Sequence, residues 1–122
     1  MFLFILQFKS NMKSILWKKS SKFVKNACIG RDDSHGHPHM KCVALKSLEI
    51  LQKEFPNFTE NMEKKVITVA WLHDVNDHKY DKDGKLKIQV YEFVQTIFDD
   101  MNDCDAIMKI IDMISYSKEN NA

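Results

Sequence analysis

The chain has 122 residues and a formal net charge of +1, with 44% apolar and 29% charged residues. That is the balance of one globular domain, not of a disordered chain, and it gives no global electrostatic reason to expect long nucleic acid or an anionic membrane as partner. The three cysteines, Cys28, Cys42 and Cys104, are far apart and form no CxxC pair, which argues against a disulfide framework or a thiolate zinc site and points to free thiols in a reducing cytoplasm.

Residues 1–11 open with the apolar run MFLFILQF. The run is far short of the roughly 18–20 residues needed to span a bilayer. It also lacks the basic n-region and cleavage site of a secretory signal. Residues 1–11 are therefore expected to be an N-terminal extension outside the folded domain, either disordered or an artefact of the gene model. The domain proper is placed at 12–117, followed by a polar tail at 118–122.

Ile15, Leu16, Phe23, Val24 and Cys28 recur at helical spacing among lysines, predicting a helix over 13–28 with Gly30 as its C-terminal cap. A polar, turn-rich stretch follows, Arg31-Asp32-Asp33-Ser34-His35-Gly36-His37. Pro38 suits the first turn of the next helix, predicted to run to Glu54, where Phe55-Pro56-Asn57 breaks it. Thr59 is an N-cap candidate with acidic residues in the turn after it, predicting a third helix over 60–75. Its apolar residues, Val66, Ile67, Val69, Ala70, Trp71 and Leu72, lie nearly all round, so it should be central and buried. Asp81 and Asp83 belong to a charged turn. A fourth amphipathic helix is predicted over 86–100. A fifth is capped by Asp103 and carries Ala106, Ile107, Ile110, Ile111 and Ile114. The expected fold class is all-α, a bundle of about five helices.

All five histidines fall between positions 35 and 78. Imidazole and carboxylate together suit Mn²⁺, Fe²⁺, Co²⁺, Ni²⁺ or Zn²⁺ better than Ca²⁺. His73 and Asp74 are adjacent and emerge at the end of an apolar run. An aspartate at the edge of a core needs a metal or another positive partner to offset its desolvation. The alternative is a cap-like Asp74 beside a neutral histidine.

The segments His39-Met40-Lys41-Cys42-Val43-Ala44 and Ala70-Trp71-Leu72-His73-Asp74-Val75 resemble the first histidine helix and the His-Asp doublet of the HD superfamily. Asp33-Ser34-His35-Gly36 with His39, then His73-Asp74-Val75 with His78-Lys79-Tyr80-Asp81, and later Ile114-Ser115-Tyr116-Ser117, are similar to its small single-domain hydrolases. The likeness covers about residues 20–117.

The resemblance implies an HD-domain-like helical bundle around one divalent metal, held by His39, His73 and Asp74. Mn²⁺ is the first expectation; Fe²⁺, Ni²⁺, Co²⁺, Zn²⁺ and Mg²⁺ are the others. It implies hydrolysis of a phosphoester or phosphoanhydride in a small phosphate compound, with nucleotides foremost. Asp77 and Lys79 would serve catalysis or phosphate binding, and His35 would stand at the pocket mouth. His37 and His78 are read as structural or exposed.

Two departures stand out. Where relatives often carry His-Asp, this chain has His35-Gly36, so that Asp32 or Asp33 would have to supply the carboxylate. The family's fourth ligand, an aspartate in a DADRLDA-like segment, would follow Ser117, and the sequence ends at Ala122 before it. The C-terminal helices are thus expected to be missing relative to the family, leaving apolar surface through which copies can associate. The rival readings are a catalytically degenerate HD-like module that binds metal or nucleotide, a helical protein-interaction domain, and a structural bundle with incidental histidines.

Overall fold

A computed structural model describes the backbone of residues 2–121 and the side chains of residues 13–115. The side chains in the expected extension at 1–11 and in the tail at 118–122 lie outside the described residues. Five helices follow one another: α1 (Phe2–Ala27), α2 (His37–Glu54), α3 (Glu60–Leu72), α4 (Lys85–Ile97) and α5 (Met101–Asn121). No strand occurs among the described residues. The all-α expectation of about five helices holds.

Local chemistry sets most of the boundaries. Gly30 takes a left-handed conformation (φ 87°) just beyond α1, a backbone state that costs glycine little. Thr59 accepts a hydrogen bond from the Met62 N–H at 3.1 Å and caps α3. The carboxylate of Asp81 accepts from the N–H groups of Leu86 and Lys87 at 2.8 and 2.9 Å. It thereby satisfies two of the donors that the first turn of α4 leaves without an intrahelical acceptor.

Several boundaries differ from those expected from the sequence: α1 begins at Phe2 rather than at residue 13, and α5 runs on to Asn121 through the expected tail. α3 stops at Leu72 rather than Val75, and the chain turns there through a Val75 N–H···O Leu72 bond of 3.1 Å. α4 stops at Ile97, because Phe98 adopts extended backbone and buries its ring. The residue that caps α5 is Asp100, whose side chain accepts from the Asn102 N–H at 2.8 Å. Asp103 lies within the first turn and pairs instead with Lys65 at 3.1 Å.

α3 is central, as its all-round apolar character requires. It packs on α1, α2 and α5, while α4 closes against α5 and α1. Trp71 is fully buried and meets Trp17 edge-on at 5.1 Å between centroids. Val24, Met40, Ile67, Leu72, Val75, Val90, Val94, Ile107 and Ile111 complete the innermost core. Leu72 and Val75 are both fully buried. They pull the turn between them into the bundle and leave His73 and Asp74 at its rim.

Candidate metal centre

Two elements build the site. His39 lies in the first turn of α2, and His73 and Asp74 form the turn that follows α3. α2 and α3 pack directly on each other, so residues more than thirty positions apart in sequence meet. The carboxylate Oδ2 of Asp74 lies 3.4 Å from Nε2 of His39 and 3.4 Å from Nε2 of His73. The two imidazole rings are 5.4 Å apart at a steep angle. One donor atom from each of the three residues lies within 4.8 Å of the other two.

The two 3.4 Å separations from Asp74 suit a shared cation. Ligands at about 2.0–2.2 Å from an ion are separated along a coordination edge by about 3–3.5 Å. A direct charge-assisted N–H···O bond is shorter, about 2.7–2.9 Å. The orientation of His73 agrees. Its Nδ1 lies 2.7 Å from the carbonyl oxygen of Ala70, which can only accept, so Nδ1 carries the proton. Nε2 is left to face Asp74, which is the arrangement a metal-ligating histidine needs. The His73 and Asp74 side chains are 10% and 4% exposed and that of His39 is 33% exposed, so the site opens to solvent on the α2 side. These residues fit a divalent metal.

Beside His73 an apolar groove of about 350 Å³ opens between α2, α3 and α5. Val43, Val66, Val69, Ile110 and Ile114 line it, with Ser47 and Lys65.

The other expected site residues do not join the three ligands. Nδ1 of His35 lies 2.8 Å from Oδ1 of Asp32, which also accepts from the Ser34 hydroxyl at 2.8 Å. The His35 bond, then that of Ser34, holds the Asp32 carboxyl below its usual range. Oδ1 of Asp77 accepts from the Lys79 N–H at 2.9 Å and shapes the turn. Lys79 is exposed, with its ammonium 5.5 Å from the centre of the Tyr80 ring. His78 is exposed. His37 is hydrogen-bonded through Nε2 to the Ser21 hydroxyl at 2.8 Å and lies against Trp71. Burial first, then Lys25 and Lys41, push its pKa down. It serves structure.

Arg31 and Tyr80 carry weight that the sequence reading did not assign. The Arg31 guanidinium donates to the main-chain oxygen of Asp74 at 2.9 Å and to that of Val75, and its carbon lies 4.1 Å from the centre of the Tyr80 ring. His35 and Lys79 also face that ring. One signal was present in the sequence: Arg31 is the single arginine among 18 basic residues.

Cys28 is buried. Its thiol pKa is pushed up, by burial first and against the opposing influence of Arg31. No protein-family model matches the chain, and neither any curated protein nor any solved structure matches it.

Proposed function

We propose that this chain is a metal-dependent phosphohydrolase of the HD type, acting on a nucleotide or a related small phosphate compound. The observation that carries the reading is the convergence of His39, His73 and Asp74 at ligand spacing, with the His73 proton held on the far nitrogen.

Bound between these side chains, a divalent ion such as Mn²⁺ would supply a Lewis acid toward a phosphoryl oxygen and acidify water at neutral pH. The protein's own groups do the rest. His39, the most exposed of the three, marks the side from which substrate approaches. Lys79, beside the Tyr80 ring, would offer N–H donors to phosphate oxygens, and His35, whose Nδ1 is engaged by Asp32, would present its Nε2 edge. Asp77 uses Oδ1 within its turn, and its Oδ2 is the atom that would take a proton from attacking water. The apolar groove beside His73 gives room for the part of the substrate that is not phosphate.

The test is release of phosphate or pyrophosphate from a nucleotide panel by metal-stripped protein to which Mn²⁺ is returned. Turnover that depends on Mn²⁺ and falls at least about 100-fold in His73→Ala supports the proposal, since losing a ligand costs more than losing an outer-shell partner. Absence of turnover across the panel at saturating Mn²⁺ contradicts it. Tight Mn²⁺ binding without turnover would favour a metal-binding module, a reading that the exposed Lys79 and the turn-bound Asp77 oxygen support.

A further inference from the structure

We infer that Arg31 is the positioning residue of the His73-Asp74 doublet, fixing where the two side chains stand by pinning the main chain that carries them. Its consequence for metal affinity rests on the proposed function, while its effect on the turn does not.

The carbonyls around the doublet show why an anchor is needed. α3 ends at Leu72, so the carbonyls beyond it have left the helical ladder. Ala70 O accepts from the His73 ring and Leu72 O from the Val75 N–H. Asp74 O has a long bond of 3.3 Å from the Asp77 N–H, and the Arg31 guanidinium adds one of 2.9 Å. Val75 O takes the other arm of the same guanidinium. Two successive carbonyls are thus held by one planar group, from 43 and 44 residues upstream. The peptide between Asp74 and Val75 then has little freedom to rotate, and the Asp74 side chain leaves the main chain in a set direction.

The guanidinium is fixed in turn. Tyr80 covers one face at 4.1 Å, and Nη1 reaches the His35 carbonyl at 3.5 Å. The turn before α2, the doublet and the turn at 77–81 are joined through this one side chain. A lysine has neither the planar fork nor the stacking face for this task. The chain uses lysine elsewhere for its basic residues and arginine only here.

Charge and geometry make opposite predictions. Removing a positive charge near a cation site would tighten cation binding by relieving repulsion. Releasing the doublet would weaken it, and outer-shell partners of metal ligands are typically worth about 10- to 100-fold in affinity. Arg31→Lys keeps the charge and loses the fork, so it isolates geometry.

The experiment uses the full chain as wild type, Arg31→Lys, Arg31→Gln and Tyr80→Leu. Mn²⁺ affinity is read from the electron paramagnetic resonance of free Mn²⁺, and amide exchange is read on the metal-free proteins. Both Arg31 variants should bind Mn²⁺ about 10- to 100-fold more weakly. Exchange should quicken at the Val75 and Asp77 amides while Val94 in α4 keeps its protection. Tyr80→Leu should shift both readouts the same way, by less. Arg31→Lys with wild-type affinity and wild-type exchange would overturn the assignment. So would equal loss of protection at Val94, which would make Arg31 a general contributor to the fold. If the wild type takes up no Mn²⁺, the metal reading fails. Exchange at Val75 and Asp77 then decides the positioning role alone, quickened exchange supporting it and unchanged exchange overturning it.

Discussion

A single proton gives His73 its direction. The Ala70 carbonyl holds that proton on Nδ1, and Nε2 consequently faces the Asp74 carboxylate. His37, two residues before His39, has an environment that produces a different behaviour. Its partners are the Ser21 hydroxyl and the Trp71 ring, and burial depresses its pKa. Below the unfolded-state value of about 6.5, the unfolded chain takes up a proton that folded His37 resists. Stability therefore falls as pH drops through 6.5 and levels off below the folded value. In metal-free protein the urea midpoint should fall further between pH 7.5 and pH 5.5 in wild type than in His37→Gln. Equal falls would show that His37 titrates alike in both states. His37 and His39 share one segment, and what divides them physically is that one meets α1 and Trp71 while the other meets Asp74.

At the level of elements, most helix starts were legible because they rest on side chains close in sequence. Thr59 reads as an N-cap and is one. Thr59→Ala should lower stability by about 1 kcal/mol, seen as a lower urea midpoint with an unchanged slope, and an unchanged midpoint would show that the cap contributes nothing. The end of α3 was not legible. Val75 resumes the apolar pattern after His73 and Asp74, and no glycine or proline marks a stop. The chain leaves the helix just before a guanidinium from the turn after α1 takes the carbonyls of Asp74 and Val75, and that is a tertiary event. The cap of α5 was misplaced for a related reason. Asp100 and Asp103 look alike in sequence, but Lys65 on α3 engages Asp103, and Asp100 is the one whose side chain meets the helix's own N–H group.

For the whole molecule, the near-neutral charge offers no global electrostatic signal, and the three residues that could hold a metal ion meet at the junction of α2 with the end of α3. No helix among the described residues is long and apolar enough to cross a membrane. His39, His73 and Asp74 could be picked from the sequence because their types and order carry chemistry. Arg31 and Tyr80 could not, because their role is to hold backbone, which leaves no motif. The most direct measurement is anomalous diffraction at the manganese edge from crystals grown with Mn²⁺. One peak per chain is expected, within about 2.0–2.3 Å of Nε2 of His39, Nε2 of His73 and an Asp74 carboxylate oxygen, the range of ordinary metal–ligand bonds. Diffraction from such crystals with no peak there, or with Mn²⁺ bound only elsewhere on the surface, would contradict it.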